Sequence, residues 1–393
     1  MKPNKGKQSA NAVLLDVTRL FYRALQGRLP TGIDRIGLAY LEYFQGKAQA
    51  LVRCAGRWVV FTPQGSVRLF SLLLQPEPRL SWKLCGLLFR NYFLFHPVLK
   101  GSILLNTSHS GLVSPEYTIK SRRLGIRPVY YLHDLIPITY PEFGRPGGVE
   151  KHHRRLETML ITGRGIVTNS EETCCELRRY AQEKNRKVPP CVVAFPAPAK
   201  LIGRESTPPL SRDYFVILAT IEPRKNHLLL LYLWRELVEK MGKEAPCLVM
   251  IGRRGWECEQ VEDILDRCDL LKGTVIELSS CPDDQLVNWI KYAKALLFPS
   301  FIEGFGIPLV EALSLGTPVI ASDLPVFKEI AGDIPEYYHP LDGLGWRGAI
   351  LEYLKPESSR RQAQLDRMAN YAPPTWKTHF EKVEALLKEV YDD

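Results

Sequence analysis

The 393-residue sequence lacks the patterns that identify several common classes of protein. Its nine cysteines include no Cys-x-x-Cys pair, which argues against a zinc site or a disulfide framework and indicates reduced thiols. Its most apolar stretch, 84–98, is interrupted by Arg90, Asn91 and His96 and is shorter than the ~20 residues that span a bilayer. No repeat with a solenoid period is present. We therefore expect a globular, cytoplasmic protein.

Acidic residues are scarce in the first half of the chain. Residues 1–205 contain 31 lysines and arginines but 14 aspartates and glutamates, a net charge of +17, whereas the rest of the chain carries −8. A basic surface of this size favours an anionic partner, such as phosphate groups, nucleic acid or a lipid surface. The alternative is a solvated basic surface with no dedicated partner. The asymmetry also indicates two domains with different partners.

Short apolar segments alternate with helical patterns through both halves of the chain. This alternation predicts βαβ units, and therefore two doubly wound parallel sheets of an α/β protein. Ligands of such sheets bind at the carboxyl ends of the strands. The expected strands are 12–17, 102–106, 128–132, 165–168 and 192–194 in the first half, and 214–220, 248–251, 275–278, 295–298 and 318–321 in the second.

Four prolines without an apolar period mark residues 195–213 as a linker. We predict an N-terminal Rossmann-like domain over 1–200, a hinge over 201–212 and a C-terminal Rossmann-like domain over 213–373. The remaining residues, 374–393, are expected to form a helix that packs back on the N-terminal domain. The ligand site is expected in the cleft between the two domains.

The segment 298–323 carries the strongest chemical pattern in the chain. A strand ends near Pro299, and a loop of sequence EGFG at 303–306 leads into a short helix. Glycines beside a helix N-terminus let backbone N–H groups approach an anion closely. Glu311, expected in the first turn of that helix, has a carboxylate that can accept hydrogen bonds from a sugar diol.

Two basic residues, Arg224 and Lys225, follow the first strand of the second half. A guanidinium and an ammonium at the carboxyl end of a strand can bind a diphosphate. Taken alone, adjacent basic residues are more typical of a solvated helix start, and a Gly-rich turn is more typical of tight packing. Their joint placement at the ends of two strands of one sheet favours a binding site.

Together these motifs resemble the retaining nucleotide-sugar glycosyltransferases of family 4, which have the two-domain GT-B fold. The resemblance rests on EPRKN at 222–226, FPS at 298–300 and EGFGIPLVEALSLGTPVI at 303–320. A looser match in the first half rests on TGIDR at 31–35, YLHDLIPITYPE at 131–142 and VTNSEETCCEL at 167–177. Many relatives have a glycine, and some an additional arginine, where this chain has Ala219 and Thr220. That departure places more of the phosphate binding on Arg224 and Lys225.

The resemblance implies a role for each matching residue. Glu311 would bind the ribose hydroxyls of the donor, while Arg224 and Lys225 would bind its diphosphate. His133 and the Gly32 amide would reach the donor from the N-terminal domain. The implied catalytic residues are His133, Glu303, Arg224 and Lys225, and the implied donor-binding residues are Gly32, Arg224, Lys225, Glu303, Gly304, Phe305, Gly306 and Glu311.

The sequence contains no Asp-x-Asp motif, which holds the cation of metal-dependent transferases. We therefore expect no metal and no cofactor beyond the nucleoside diphosphate sugar that is a co-substrate. The expected reaction is transfer of a hexose, mannose from GDP-mannose being favoured, to a glycan or lipid-linked glycan of bacterial surface polysaccharide or lipopolysaccharide. One alternative is a sugar transferase acting on another anionic acceptor such as DNA, although no module that reads nucleic acid is visible. Another is an inactive GT-B scaffold subunit.

Residues 79–95 admit two interpretations. Arg79, Lys83 and Arg90 could share one helical face, which is typical of an interfacial helix that binds an anionic membrane from the cytoplasmic side. Alternatively, the segment is a core helix with its basic residues at a wet edge. The apolar residues that decide between the two are Trp82, Leu87, Phe89 and Phe93.

Overall fold

The structure is a computed structural model that describes residues 12–28, 30–199 and 207–392. It divides into two compact units. Unit 1 contains the residues up to Ile138, Gly147–Pro196 and the chain from Trp376 onwards, and unit 2 contains Thr139–Pro146 and Ala197–Thr375. Half of the predicted hinge, 201–206, lies outside the described residues. In the described ranges, no helix combines the length and the apolar composition needed to cross a bilayer.

Unit 1 is built on a seven-stranded sheet of order β3-β2-β1-β4-β5-β6-β7. All neighbouring strands are parallel except β2 and β3, which form an antiparallel hairpin through Ala55 and Gly56, both with positive φ. The central strands carry apolar side chains toward both faces and are almost completely buried. The strands are β1 Val13–Asp16, β2 Ala48–Cys54, β3 Arg57–Val60, β4 Ile103–Asn106, β5 Arg127–Leu132, β6 Gly165–Thr168 and β7 Cys191–Val193.

Helices cover this sheet, and several of their ends are fixed by side-chain caps. The Ser170 hydroxyl accepts a hydrogen bond from the Thr173 amide, as expected for the N-cap of the helix that follows. The final helix, α16, packs on unit 1, where Arg127 donates to the Val390 carbonyl at 2.8 Å. The helices are α1 Thr18–Leu25, α2 Gly32–Phe44, α3 Pro63–Leu74, α4 Leu80–Leu94, α5 Pro115–Leu124, α6 Ile136–Thr139, α7 Gly148–Thr162, α8 Glu171–Glu183 and, after unit 2, α16 Trp376–Asp392.

Unit 2 has a six-stranded parallel sheet of order β10-β9-β8-β11-β12-β13. Trp234 and Trp346 are fully buried in the core that its helices form on one face. Its strands are β8 Tyr214–Leu218, β9 Cys247–Ile251, β10 Val275–Leu278, β11 Leu296–Phe298, β12 Val319–Ser322 and β13 Glu336–Tyr338. Its helices are α9 His227–Met241, α10 Glu259–Arg267, α11 Asp283–Lys291, α12 Ile307–Ser314, α13 Pro325–Ala331, α14 Gly343–Leu354 and α15 Ser359–Met368.

The predicted doubly wound α/β architecture is confirmed, and each of the ten expected strands is present within a few residues of its expected bounds. Three strands were not predicted. The strands β2 and β3 lie at one edge of their sheet, and β13 is an edge strand of only three partly buried residues. These three strands carry mixed polar and apolar side chains instead of the uniform apolar run of a central strand, so the pattern did not show them.

His379 on α16 makes the stability of unit 1 dependent on pH. It is buried, its Nδ1–H donates to the Phe195 carbonyl at 3.1 Å, and its Nε2 accepts from the Tyr40 hydroxyl at 3.0 Å. Burial lowers its pKa from the ordinary 6.5 to about 4. The unfolded chain therefore binds a proton below pH 6.5 that the native ring does not, and this residue removes about 1.4 kcal/mol of stability per pH unit between 6.5 and 4.

Urea unfolding of unit 1 at pH 7 and pH 5 measures this effect. The variant His379→Gln keeps one hydrogen-bond donor and one acceptor at this position. From pH 7 to pH 5, we expect its free energy of unfolding to fall by about 2 kcal/mol less than that of the wild type. Equal losses for the two proteins would show that His379 is not protonated on unfolding in this range.

Candidate active site

The candidate site in unit 2 begins with the loop after β8. Pro223–Lys225 form a short 3₁₀ turn, and Asn226 then adopts a left-handed conformation with φ of 57° before α9 begins. The Asn226 amide donates to the Pro299 carbonyl at 3.2 Å and to the Pro340 carbonyl at 2.8 Å. This side chain therefore fixes Arg224 and Lys225 at the carboxyl edge of the sheet, beside the end of β11.

Glu303, in the loop after β11, brings both cations together. Its Oε2 accepts from Arg224 Nη1 at 2.9 Å, and its Oε1 accepts from Lys225 Nζ and from the Ser300 hydroxyl, the latter at 2.7 Å. Lys225 and Glu303 are each only 8% exposed. The three charged residues expected to act on one ligand thus form one buried, hydrogen-bonded cluster, which we call the clamp: Arg224, Lys225 and Glu303.

The charges of the clamp determine its protonation. Burial opposes ionisation of Glu303, but the adjacent Lys225 and Arg224 outweigh burial and lower its pKa to about 2. Burial and the Arg224 charge lower the pKa of Lys225, while Glu303 opposes that shift. Glu303 is therefore a carboxylate at neutral pH and cannot act as a general acid.

The glycine-rich loop connects the clamp to α12. Gly306 has φ of 119°, a conformation that side chains other than glycine rarely adopt, and a Cβ there would lie 2.7 Å from Phe327. Phe305 is 5% exposed, and Gly304 precedes it in the same loop. The loop thus delivers the N-terminus of α12, with its backbone amides, next to Glu303.

Glu311 is buried at 2% exposure on α12. Because the helix begins at Ile307, Glu311 is its fifth residue and lies in the second turn, so the expectation of a first-turn position was wrong. The prediction assumed that Pro308 occupies the first helical position, whereas it occupies the second.

The other two predicted residues, His133 and Gly32, belong to unit 1. His133 follows β5, and its Nε2 lies 2.8 Å from the Thr107 carbonyl, which can only accept; Nε2 therefore carries the proton and Nδ1 is the acceptor nitrogen. Burial lowers the pKa of His133 and keeps the ring neutral at pH 7. A neutral imidazole at this edge can accept a hydrogen bond from a sugar hydroxyl.

Gly32 is the first residue of α2, and the buried Asp34 fixes the turn before it. The Asp34 carboxylate accepts from the Thr31 amide at 2.8 Å and pairs with Arg19 at 2.7 Å and Arg23 at 2.9 Å. Burial opposes its ionisation, but the hydrogen bonds from Arg19 and Thr31 outweigh burial and lower its pKa. The Gly32 amide is therefore presented at the N-terminus of a helix whose first turn is held by hydrogen bonds and ion pairs.

Sequence reasoning missed further contacts in unit 2. The Ser300 hydroxyl donates to Glu303. Its place shortly after strand β11 and three residues before Glu303 could have indicated this contact in the sequence. Phe143, in the segment Thr139–Pro146, stacks on Phe301 at a ring distance of 5.6 Å, and Arg145 lies 4.5 Å above the Trp256 ring. These aromatic contacts join residues that are distant in sequence, and no local pattern indicates them.

The described residues hold no group of three or more His, Cys, Asp or Glu side chains that could bind a metal ion.

Comparison with solved structures defines the fold as GT-B. The structure superposes on the Anabaena protein Alr3699/HepE, solved in complex with UDP and glucose, with a TM-score of 0.64 and 14% identity over 97% of this chain and 98% of that one. It also matches an alpha,alpha-trehalose-phosphate synthase (UDP-forming) from Burkholderia vietnamiensis, with a TM-score of 0.63 and 10% identity over the same shares of the two chains. At these identities the likeness concerns the fold alone.

Sequence comparison adds a match within unit 2. Residues 201–334, about a third of the chain, match the family described as Glycosyl transferases group 1, and the clamp lies within the matched residues. The O-antigen chain mannosyltransferase B of Escherichia coli is 27% identical over 74% of this chain and 77% of its own length. The serotype-specific mannosyltransferase WbdA of Escherichia coli is 26% identical over 75% of this chain but only 38% of its own length. The resemblance predicted from the motifs is thus confirmed.

Proposed function

We propose that the protein is a retaining glycosyltransferase that transfers mannose from GDP-mannose to a glycan or lipid-linked glycan. The observation that carries the proposal is the buried clamp beside the N-terminus of α12, since both are suited to a diphosphate. The choice of mannose is supported by the names of the similar proteins, which are mannosyltransferases.

In the proposed reaction, the bond between the anomeric carbon and the diphosphate oxygen breaks as the acceptor oxygen attacks from the same face. The departing diphosphate oxygen takes the proton of the acceptor hydroxyl, so the configuration is retained. Arg224, Lys225 and the α12 amides stabilise the negative charge that develops on the diphosphate. The ionised Glu303 keeps the two cations in place and faces the positive charge that develops on the sugar ring.

A thermal-shift series with UDP-, GDP-, ADP- and dTDP-sugars tests the donor assignment. A ligand that binds the native state raises its melting temperature by mass action, and we expect the largest rise with GDP-mannose. A larger rise in melting temperature with another nucleotide sugar would assign that sugar as the donor, and the proposed reaction type would be unaffected.

The acceptor and the location are also proposals. Two similar proteins are named for the O-antigen chain, which supports an acceptor in surface polysaccharide or lipopolysaccharide synthesis. We further propose that the protein works on the cytoplasmic side of the membrane, attached peripherally to its anionic surface.

Removal of metal ions should leave the activity unchanged. The clamp provides two cations where a metal-dependent transferase has a bound divalent ion, so we expect full turnover in excess EDTA. Rates measured with EDTA and with added magnesium or manganese check this expectation. Strict dependence on either metal would contradict the proposed mechanism.

Glu311→Gln should weaken donor binding more than it slows the chemical step. If Glu311 binds the ribose hydroxyls, its hydrogen bonds are present in both the ground state and the transition state, and their loss raises KM for the donor. We expect KM to rise about tenfold with a smaller change in kcat, from steady-state rates at varied donor concentration. A change confined to kcat would refute ribose binding by this residue.

A further inference from the structure

The outer face of α4 in unit 1 carries three exposed aromatic side chains. Trp82 is 81% exposed, Phe89 is 68% exposed and Phe93 is 57% exposed. Their spacings of seven and four residues place them on one side of the helix, and the Phe89 and Phe93 rings lie 4.8 Å apart. Leu94, the last residue of the helix, is 76% exposed, and Val98 after it is 86% exposed.

The opposite face of α4 is the one that packs on unit 1. Leu84 and Asn91 are buried there, and the Asn91 carboxamide accepts from the Thr62 amide at 2.9 Å and donates to the Leu87 carbonyl at 2.8 Å. The orientation of α4 is therefore fixed by a buried polar residue, while its large aromatic rings face outward. A helix on an ordinary solvated surface shows the reverse distribution.

The structure combines features of both interpretations of residues 79–95. The helix packs on the unit, but three of the four apolar residues named for this segment, Trp82, Phe89 and Phe93, lie on its outer face. The fourth, Leu87, is half-buried. Of the three basic residues expected to share one helical face, Arg79 precedes the helix as its N-cap, and Lys83 pairs with Glu77 at 2.6 Å.

Basic residues from neighbouring elements border the aromatic face instead. Arg90 is exposed on α4 itself, and exposed Arg57 places its guanidinium 4.6 Å above the Tyr92 ring. Beside them is a hollow of about 400 Å³, lined by Arg57, Trp58, Phe95, His96, Pro97, Leu99, Lys120 and Leu124.

Acidic residues are scarce in the sequence around this face. No aspartate or glutamate occurs between residues 78 and 115, whereas Arg79, Lys83, Arg90 and Lys100 lie in that stretch. On α5, which contributes Lys120 to the hollow, Arg122 and Arg123 are exposed and Ile119 is 66% exposed. The surface therefore combines large aromatic rings with an excess of positive charge.

We propose that this surface, made of Trp82, Phe89, Phe93, Leu94 and Val98 with Arg57 and Arg90 at its margin, docks unit 1 on an anionic phospholipid bilayer. The rings enter the interfacial region of the bilayer, and the basic margin and the hollow contact lipid phosphates. Aromatic rings with an amphipathic Trp and a margin of one charge sign match a bilayer interface, which is apolar below and anionic above. The inference is independent of the donor and of the transfer reaction.

Vesicle sedimentation tests the proposal with the full chain. We expect the wild type to bind phosphatidylcholine vesicles that contain phosphatidylglycerol at low salt, to bind pure phosphatidylcholine at least tenfold more weakly, and to be released as salt rises. Absence of binding to the anionic vesicles at low salt would overturn the proposal and favour a protein partner for this face.

Two surface variants separate the apolar and the charged contributions. Trp82→Ser/Phe89→Ser/Phe93→Ser should lower vesicle binding at least tenfold while donor-induced thermal shifts stay unchanged, since all three side chains are exposed. Arg57→Glu/Arg90→Glu should lower binding to anionic vesicles by roughly fivefold or more per residue and leave binding to neutral vesicles unaltered. Undiminished binding of the triple variant would show that another surface holds the membrane.

Tyr232→Ser/Leu344→Ser is the matched control, because it removes two comparably exposed apolar side chains from unit 2, at 56% and 72% exposure. It should bind vesicles as the wild type does, and an equal loss in this control would overturn the assignment to α4.

Inorganic phosphate is the second control. It should displace the protein from vesicles no more than chloride at equal ionic strength, and specific displacement would assign the hollow to a soluble phosphate instead of lipid.

Discussion

Lys225→Met is expected to lower turnover at saturating donor at least 100-fold, the effect of removing one preorganised charge donor from a leaving group. It should also destabilise unit 2. The substitution leaves Glu303 as a buried carboxylate with Arg224 and Ser300 as its remaining partners. Breaking a buried ion pair of this kind typically costs about 3–5 kcal/mol. Because Glu303 keeps two partners, we expect the free energy of unfolding to fall by about 3 kcal/mol. Steady-state kinetics and urea unfolding measure the two effects.

The double variant Lys225→Met/Glu303→Gln separates the two effects. It removes the uncompensated charge, so stability should return most of the way to the wild-type value. Turnover should stay at least 100-fold below the wild type, because neither charge is restored. If turnover at saturating donor were normal in the single variant, or if it recovered together with stability in the double variant, Lys225 would have a structural role only.

Gly306→Ala is expected to reduce donor binding and turnover more than tenfold. The new Cβ would lie 2.7 Å from the Phe327 ring, and the alanine would have to adopt a φ of 119°. The loop must therefore move, and it carries the α12 amides away from the clamp. The donor-induced thermal shift and kcat/KM report this displacement.

Gly316→Ala provides the matched control at the other end of α12. Gly316 also has positive φ, 77°, but a Cβ there meets no atom within 4 Å. The control should therefore cost only about 1 kcal/mol of backbone strain and keep its activity. If the two variants bound donor equally well, the close packing of Gly306 would have no part in forming the site.

The central strands and the charged residues after them could be predicted from local patterns. Strands such as Ile103–Asn106 and Cys247–Ile251 are buried on both faces and read as continuous apolar runs. The edge hairpin β2–β3 and the short β13 carry mixed side chains and depend on a neighbouring strand for their hydrogen bonds. Their existence is a tertiary property that a local pattern does not contain.

Contacts within the site were harder to predict than its members. The sequence indicates Arg224 and Lys225 as ligands of a diphosphate and Glu303 as a contact of the sugar, but it does not show that all three bond to one another. That pairing depends on how the loops after β8 and β11 are positioned, since these strands are neighbours in the sheet and 78 residues apart at Leu218 and Leu296. Likewise, only the packing of Asn91 shows which face of α4 points outward.

The configuration of the product tests the proposed reaction most directly. The protein would be incubated in EDTA with GDP-mannose and purified lipid-linked glycan acceptor, and the anomeric configuration of the newly attached sugar would be determined by NMR from its one-bond carbon–proton coupling. We expect a mannose with the α configuration of the donor, formed without metal and absent with Lys225→Met/Glu303→Gln. A product of β configuration would contradict same-face attack, and absence of transfer from any nucleoside diphosphate hexose would contradict the proposed function.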